Sequence, residues 1–111
     1  MTAVPTKSYL SSIQAKEWEP FVVGEIHKLR EDADGQLSAG LWRVTPEQAP
    51  GTNDVPMHAN ETVYIIEGHI TVEVVGGETL ELRAGSLASF EKGALTRWTV
   101  HAPTLEFYIY S

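Results

Sequence analysis

Residues 70–74, Ile-Thr-Val-Glu-Val, alternate strictly between apolar and polar side chains. That is the period of two expected of a strand with one buried face. Residues 80–83, Leu-Glu-Leu-Arg, repeat the pattern. Between them Gly76-Gly77 offers a hairpin turn, since positive φ is open to both positions. Residues 62–66 form a short apolar run of strand formers ending near Gly68. The same reading predicts strands over 22–29, 37–44, 87–90, 96–100 and 105–110. They are separated by Glu31-Asp32-Ala33-Asp34-Gly35, Gly85, Lys92-Gly93 and Ala102-Pro103. Residues 46–56 hold three prolines, a glycine, an asparagine and an aspartate, and read as a loop. Residues 8–18, bracketed by Pro5 and Pro20, read as a short helix. Some eight short, closely spaced strands predict an all-β sandwich or barrel. The expected organisation is an N-terminal arm over residues 1–20 and a barrel domain over 21–111.

At 111 residues the chain fits one domain. A domain of this size buries roughly 65% of its unfolded surface, enough for a core without staples. There is no cysteine, which removes disulfides and thiolate metal sites. Fifteen acidic against eight basic residues give a net charge of −7, which repels nucleic acid and anionic membranes. No basic, apolar leader opens the sequence, and no run approaches the ~20 apolar residues of a membrane span. A soluble cytoplasmic protein without nucleic-acid or membrane partners is expected.

Two punctuated blocks carry the candidate chemistry. The first is His58-Ala59-Asn60-Glu61-Thr62-Val63-Tyr64-Ile65-Ile66-Glu67-Gly68; the second runs from Ala84-Gly85 to Lys92-Gly93, then Thr96-Arg97-Trp98. Their order and spacing resemble the paired motifs of the cupins, small jelly-roll-like barrels (double-stranded β-helices). The resemblance covers roughly residues 38–110. Within that family the chain is similar to small single-domain members of the ureidoglycine aminohydrolase and ethanolamine-utilisation type. Glu61 and Gly68 match the glutamate and glycine of the first cupin motif. The two histidine positions fall on Val55 and Met57, or on Asp54 and Pro56. In the second motif Gly85 and Gly93 match, but Glu91 replaces proline, Thr96 histidine and Val100 asparagine. Of the usual three histidines and one glutamate only Glu61 remains. The resemblance therefore implies a barrel without its usual metal set, and no metal cofactor is expected. A divalent ion enters only if His58, Glu61 and another histidine rebuild a site, or if His27, His69 and His101, otherwise scattered strand-surface residues, converge.

The resemblance also places Glu61 inside the barrel near its mouth. A carboxylate there accepts a hydrogen bond from an amine, or serves as acid or base if burial raises its pKa. The alternative is a strand-opening glutamate paired with Arg97 or Arg43. His58, three residues earlier, is a candidate pocket residue or a loop histidine. Thr96, at the lost histidine position, offers a hydroxyl to the cavity. Trp98 shares its parity and either lines a pocket or joins the core. Glu61 is thus the candidate catalytic residue, and His58, Glu61, Thr96 and Trp98 the candidate ligand-binding set.

Three functions follow. The first is a barrel that binds a small molecule near Glu61. The second is an isomerase, lyase or hydrolase using Glu61 as acid or base. The third is a non-catalytic dimeric structural or regulatory module, its barrel filled by Trp42, Trp98 and Phe90. A homodimer is expected from the resemblance, with strand edges or the arm covering the interface.

Overall fold

The structure, a computed structural model, describes residues 4–111 and is all-β. The strands are β1 (Glu19–Pro20), β2 (Glu25–Glu31), β3 (Ser38–Val44), β4 (Thr52–Pro56), β5 (Glu61–Val74), β6 (Thr79–Arg83), β7 (Leu87–Phe90) and β8 (Leu95–Tyr110). All pairings are antiparallel. Among the described residues no helix is long and apolar enough to cross a membrane.

Two long strands fold one hydrogen-bonded sheet into two layers. The first half of β5 lies between β7 and the second half of β8, which continues to β3, β2 and β1. The second half of β5 lies between β6 and the first half of β8, which continues to β4. Both long strands therefore change layers in mid-course, and the bend has a local cause. Gly68 adopts a φ of 113°, a conformation that L side chains rarely take. Its α-carbon lies so close to Thr104 that any Cβ would collide with that side chain and backbone. Opposite it, Ala102-Pro103 carries β8 across. The expected strands 62–66 and 70–74 are thus one element bent at Gly68, and 96–100 and 105–110 are another.

Two expectations fail. Residues 46–56 do not form a loop throughout, because β4 occupies Thr52–Pro56. It is an edge strand bonded only to β8, and an edge tolerates Pro56 because one row of its N–H groups needs no partner. Nor is there a helix at residues 8–18. That segment lies along β2 and is held by tertiary contacts: Ser11 Oγ bonds His27 Nε2 at 2.6 Å, and His27 Nδ1 bonds the Glu17 carbonyl at 2.8 Å. Trp18 stacks near the His27 ring and under the Arg43 guanidinium. The hairpin at Gly76-Gly77 forms as expected, but only Gly76 takes positive φ.

The core lies between the layers. Ile65, Ile70 and Val72 are fully buried, with Val44, Val63, Leu82, Phe90 and Val100 around them. Each such side chain stabilises the fold by roughly 1.5–3 kcal/mol relative to exposure. Trp98 crosses from the second layer to meet Trp42 edge-on at 6.0 Å and Phe90 at 5.6 Å.

Candidate functional site

Alternation along β8 and β5 decides what faces inward. On β8 Thr104, Glu106 and Tyr108 are buried and Tyr110 is half-buried. Their neighbours Leu105, Phe107 and Ile109 occupy the other face. On β5 the inward positions are Glu61, Val63 and Ile65. The register sets Glu61 opposite Tyr110, Val63 opposite Tyr108 and Ile65 opposite Glu106. On the far side of β8, Ser38, Gly40 and Trp42 face Tyr110, Tyr108 and Glu106. A polar ladder results inside an otherwise apolar layer: Glu61 with Tyr110, then Tyr108, then Glu106. Gly40 makes room for it, since a Cβ there would come within 3.0 Å of the Tyr108 hydroxyl.

Burial dominates the electrostatics of this ladder. Glu61 is 5% exposed and Glu106 2%. Desolvation lifts the Glu61 pKa to about 7, against a smaller opposing effect of its hydrogen bond with Tyr110. Glu106 is raised well above the ordinary carboxylate range, by burial and then by the Glu61 charge. Tyr110 and Tyr108 are also pushed up, mainly by burial. Burial thus favours the protonated form of Glu106 and leaves Glu61 near half-ionised at neutral pH. Glu106 Oε1 is buried with no hydrogen-bond partner. Trp42, beside it in the register, gives its indole N–H to the Val23 carbonyl. A buried acceptor left unpaired costs about 1–3 kcal/mol, so such atoms are rare and call for a reason.

The candidates read from the sequence separate. Glu61 lies in the ladder, and neither arginine serves it: Arg43 pairs with Glu25 at 3.0 Å, Arg97 with Asp54 at 3.3 Å. His58 is exposed, with its ring 5.4 Å from that of Tyr110 at the solvent end. Thr96 is 1% exposed and its hydroxyl is fully used, donating to the Val55 carbonyl at 2.6 Å and accepting from Trp98 Nε1 at 2.8 Å. Trp98 is 6% exposed and packs in the aromatic cluster. The structure thus brings Glu61 and His58 to the Tyr110 end and holds Thr96 and Trp98 in the core. Glu106 was missed, although its signal was available: a glutamate sharing parity with Tyr108 and Tyr110 in a strand otherwise full of apolar residues.

A metal at the usual barrel position does not fit these residues. Val55 and Met57 supply no donor, and Met57 is part of the core. Asp54 pairs with Arg97, Pro56 has no ligating group, and the Thr96 hydroxyl is engaged. Glu61 alone remains, and one carboxylate does not hold a transition metal. A hollow of about 320 Å³ opens outside the barrel between the arm and the layer bend, lined by Ile13, Trp18, Arg43, Glu67 and Leu105 among others.

No curated protein matches the sequence significantly. Among solved structures the chain is similar to EutQ (ethanolamine utilization protein Q) of Salmonella typhimurium, with 20% identity and a TM-score of 0.64 over 78% of this chain and 67% of that one. EutQ of Clostridium difficile gives 18% and 0.62 over 77% and 64%, so the chain spans about two thirds of the length of these two proteins. The cupin domain of Schizosaccharomyces pombe Cnp3 gives 14% and 0.73 over 90% and 71%. At these identities the likeness speaks for the fold alone. The EutQ-like cupin domain family itself matches residues 31–108, well over half of the sequence. With its two-layered barrel and its glutamate at the start of β5, the chain belongs to the EutQ-like cupin family.

Proposed function

We propose that the protein is a small-molecule-binding cupin that takes a small polar ligand, rich in N–H or O–H donors, along the Glu61–Tyr108–Glu106 ladder. The observation that carries this reading is Glu106 Oε1, the one buried side-chain polar atom without a hydrogen-bond partner among the described residues. A donor on the ligand would relieve that cost, and a neutral amine would take a proton from the ladder and pair, as the ammonium, with the carboxylate left behind. Glu61 and Tyr110, at the end nearest His58, would meet the ligand first.

The test is a thermal-shift screen of small primary amines, amino alcohols including ethanolamine, and polyols, repeated on Glu106→Gln. A compound that stabilises the natural protein and binds the variant at least tenfold more weakly supports the reading. Equal binding to both, or no binder in the panel, sinks it.

A second reading has its own observation: two buried carboxyls in one ladder both hold their protons beyond the ordinary range, Glu61 to about 7 and Glu106 well above 4.5. Carboxyls raised in this way suit acid and base roles near neutral pH. Glu61 would accept a proton from a small polar substrate while neutral Glu106 donates one to an oxygen gaining charge. This would make the protein an isomerase, lyase or hydrolase. Turnover with a pH limb near 7 that vanishes in Glu61→Gln would favour it.

The partner of the fold itself, on this proposal, is a second copy. The first layer turns its apolar residues outward: Leu87 is 76% and Tyr64 40% exposed, beside Phe107 and Ile109. The arm runs along part of that face, where Ile13, Leu41 and Phe107 line one shallow hollow. Deleting residues 1–20 should weaken dimerisation, and an unchanged sedimentation mass would count against this.

A further inference from the structure

On the outer face of the second layer the alternation of three strands brings His69 of β5, Glu81 of β6 and His101 of β8 together. Their ligating atoms all lie within 4.8 Å of one another. Thr71 and Glu81 are register partners, and Thr71 also faces Thr99 on the other side. His69 and Thr71 therefore share the outward face of β5 with Glu81. The third ligand arrives by an irregularity. Val100 pairs with Ile70 and Ala102 with His69, which leaves His101 as an extra residue without a register partner. Such a bulge bends its strand and re-aims a side chain. Here it sets the His101 ring 4.4 Å from the His69 ring, with only 32° between their planes.

The hydrogen bonds show which nitrogens converge. His69 Nε2 lies 2.6 Å from Glu81 Oε2, and His101 Nε2 lies 2.6 Å from Thr71 Oγ1. Thr71 Oγ1 in turn lies 2.8 Å from Glu81 Oε1. Both imidazoles thus aim Nε2 at one carboxylate, directly or through one hydroxyl. In this network each Nε2 carries a hydrogen. Neutral imidazole can move that hydrogen to Nδ1, which frees both Nε2 lone pairs toward the same point.

We infer that His69, Glu81 and His101 form a surface site for a zinc-class divalent cation, separate from the barrel interior. Two imidazoles and a carboxylate are a zinc donor set, bound at about 2.0–2.2 Å. In a tetrahedron the donors then stand roughly 3.3 Å apart, inside the 4.8 Å they now span, with His69 Nε2 and Glu81 Oε2 moving apart from 2.6 Å. Three protein ligands leave a fourth position, which faces solvent and takes water. The ion would also clamp β5, β6 and β8 to one another, so binding should raise thermal stability.

Zinc alone is the probe, titrated calorimetrically into the full chain, with Co²⁺ as a visible-absorbing substitute. The expected result is one ion per chain, a higher melting temperature, and Co²⁺ bands of a tetrahedral site. His69→Ala and His101→Ala should each weaken zinc binding at least tenfold, with Glu81→Gln following. His58→Ala, His27→Ala and Glu106→Gln should leave it unchanged. Glu81 and His101 are exposed and His69 partly so, so the variants should fold, and far-ultraviolet circular dichroism checks that they do. In a histidine-selective NMR spectrum, zinc should move the His69 and His101 ring signals and spare those of His27 and His58. No stoichiometric binding, or binding that survives loss of both His69 and His101, overturns the proposal.

Discussion

The inner face of the first layer and the outer face of the second are built from similar groups and treat them in opposite ways. Inside, Glu61 and Glu106 are 5% exposed or less beside buried Tyr108 and half-buried Tyr110, and Glu106 keeps an unpaired oxygen. Outside, Glu81 sits among His69, Thr71 and His101 with every contact made in the open. Desolvation rules the inner carboxyls and raises their pKa. Hydrogen bonds from His69 and then Thr71 rule the outer one and lower it. Burial thus decides whether a glutamate on this barrel stores a proton or presents a charge.

The largest expected effect lies on the inner side. Both inner carboxyls hold protons more tightly folded than unfolded. Their contribution to stability is therefore fully present below about pH 4.5 and is lost as pH rises, through about 7 for Glu61 and through the raised pKa of Glu106. A shift from 4.5 to about 7 corresponds to roughly 3 kcal/mol. The double variant Glu61→Gln/Glu106→Gln should remove this decline, gaining roughly 3 kcal/mol or more over the natural protein in urea unfolding at pH 9. An undiminished decline would break the comparison at its root. Next comes Glu61→Gln alone, which should flatten only the part of the curve between pH 5 and 8, by about 3 kcal/mol or less.

Gly40→Ala sharpens the comparison by disturbing the ladder without touching a charge. The new methyl meets the His27 carbonyl and crowds the Tyr108 hydroxyl, which should cost roughly 1–3 kcal/mol in thermal unfolding. A neutral substitution would mean that Tyr108 has room to spare. The smallest effect is expected outside. Without metal, Glu81→Gln should change stability by about 1 kcal/mol or less, because exposed ion pairs contribute little. A loss as large as that at the inner glutamates would erase the distinction.

The sequence carries the barrel well and its site unevenly. Alternation in residues 70–74 and 80–83 reports strand faces directly, because one side is buried. β4 stayed hidden because an edge strand bonded to one neighbour accepts the Asp54 and Pro56 that mark a loop. The arm was misread because its conformation comes from His27, Arg30 and Arg43, all distant in sequence. Glu61 was legible through the spacing to Gly68. Thr96 and Trp98 were legible only as positions, since their hydrogen bond to each other depends on the folded core. Glu106 and the His69–Glu81–His101 group required the register, and His101 in particular depends on a bulge that no local pattern announces.

The most direct test of the inner ladder is a carbon-13 NMR titration of the Glu61 and Glu106 side-chain carboxyls in the folded protein. The account predicts that Glu61 ionises with a midpoint of about 7 and that Glu106 ionises well above the ordinary 4.5. Both carboxyls ionising near the ordinary 4.5 would contradict it, and with it the ligand site proposed between them.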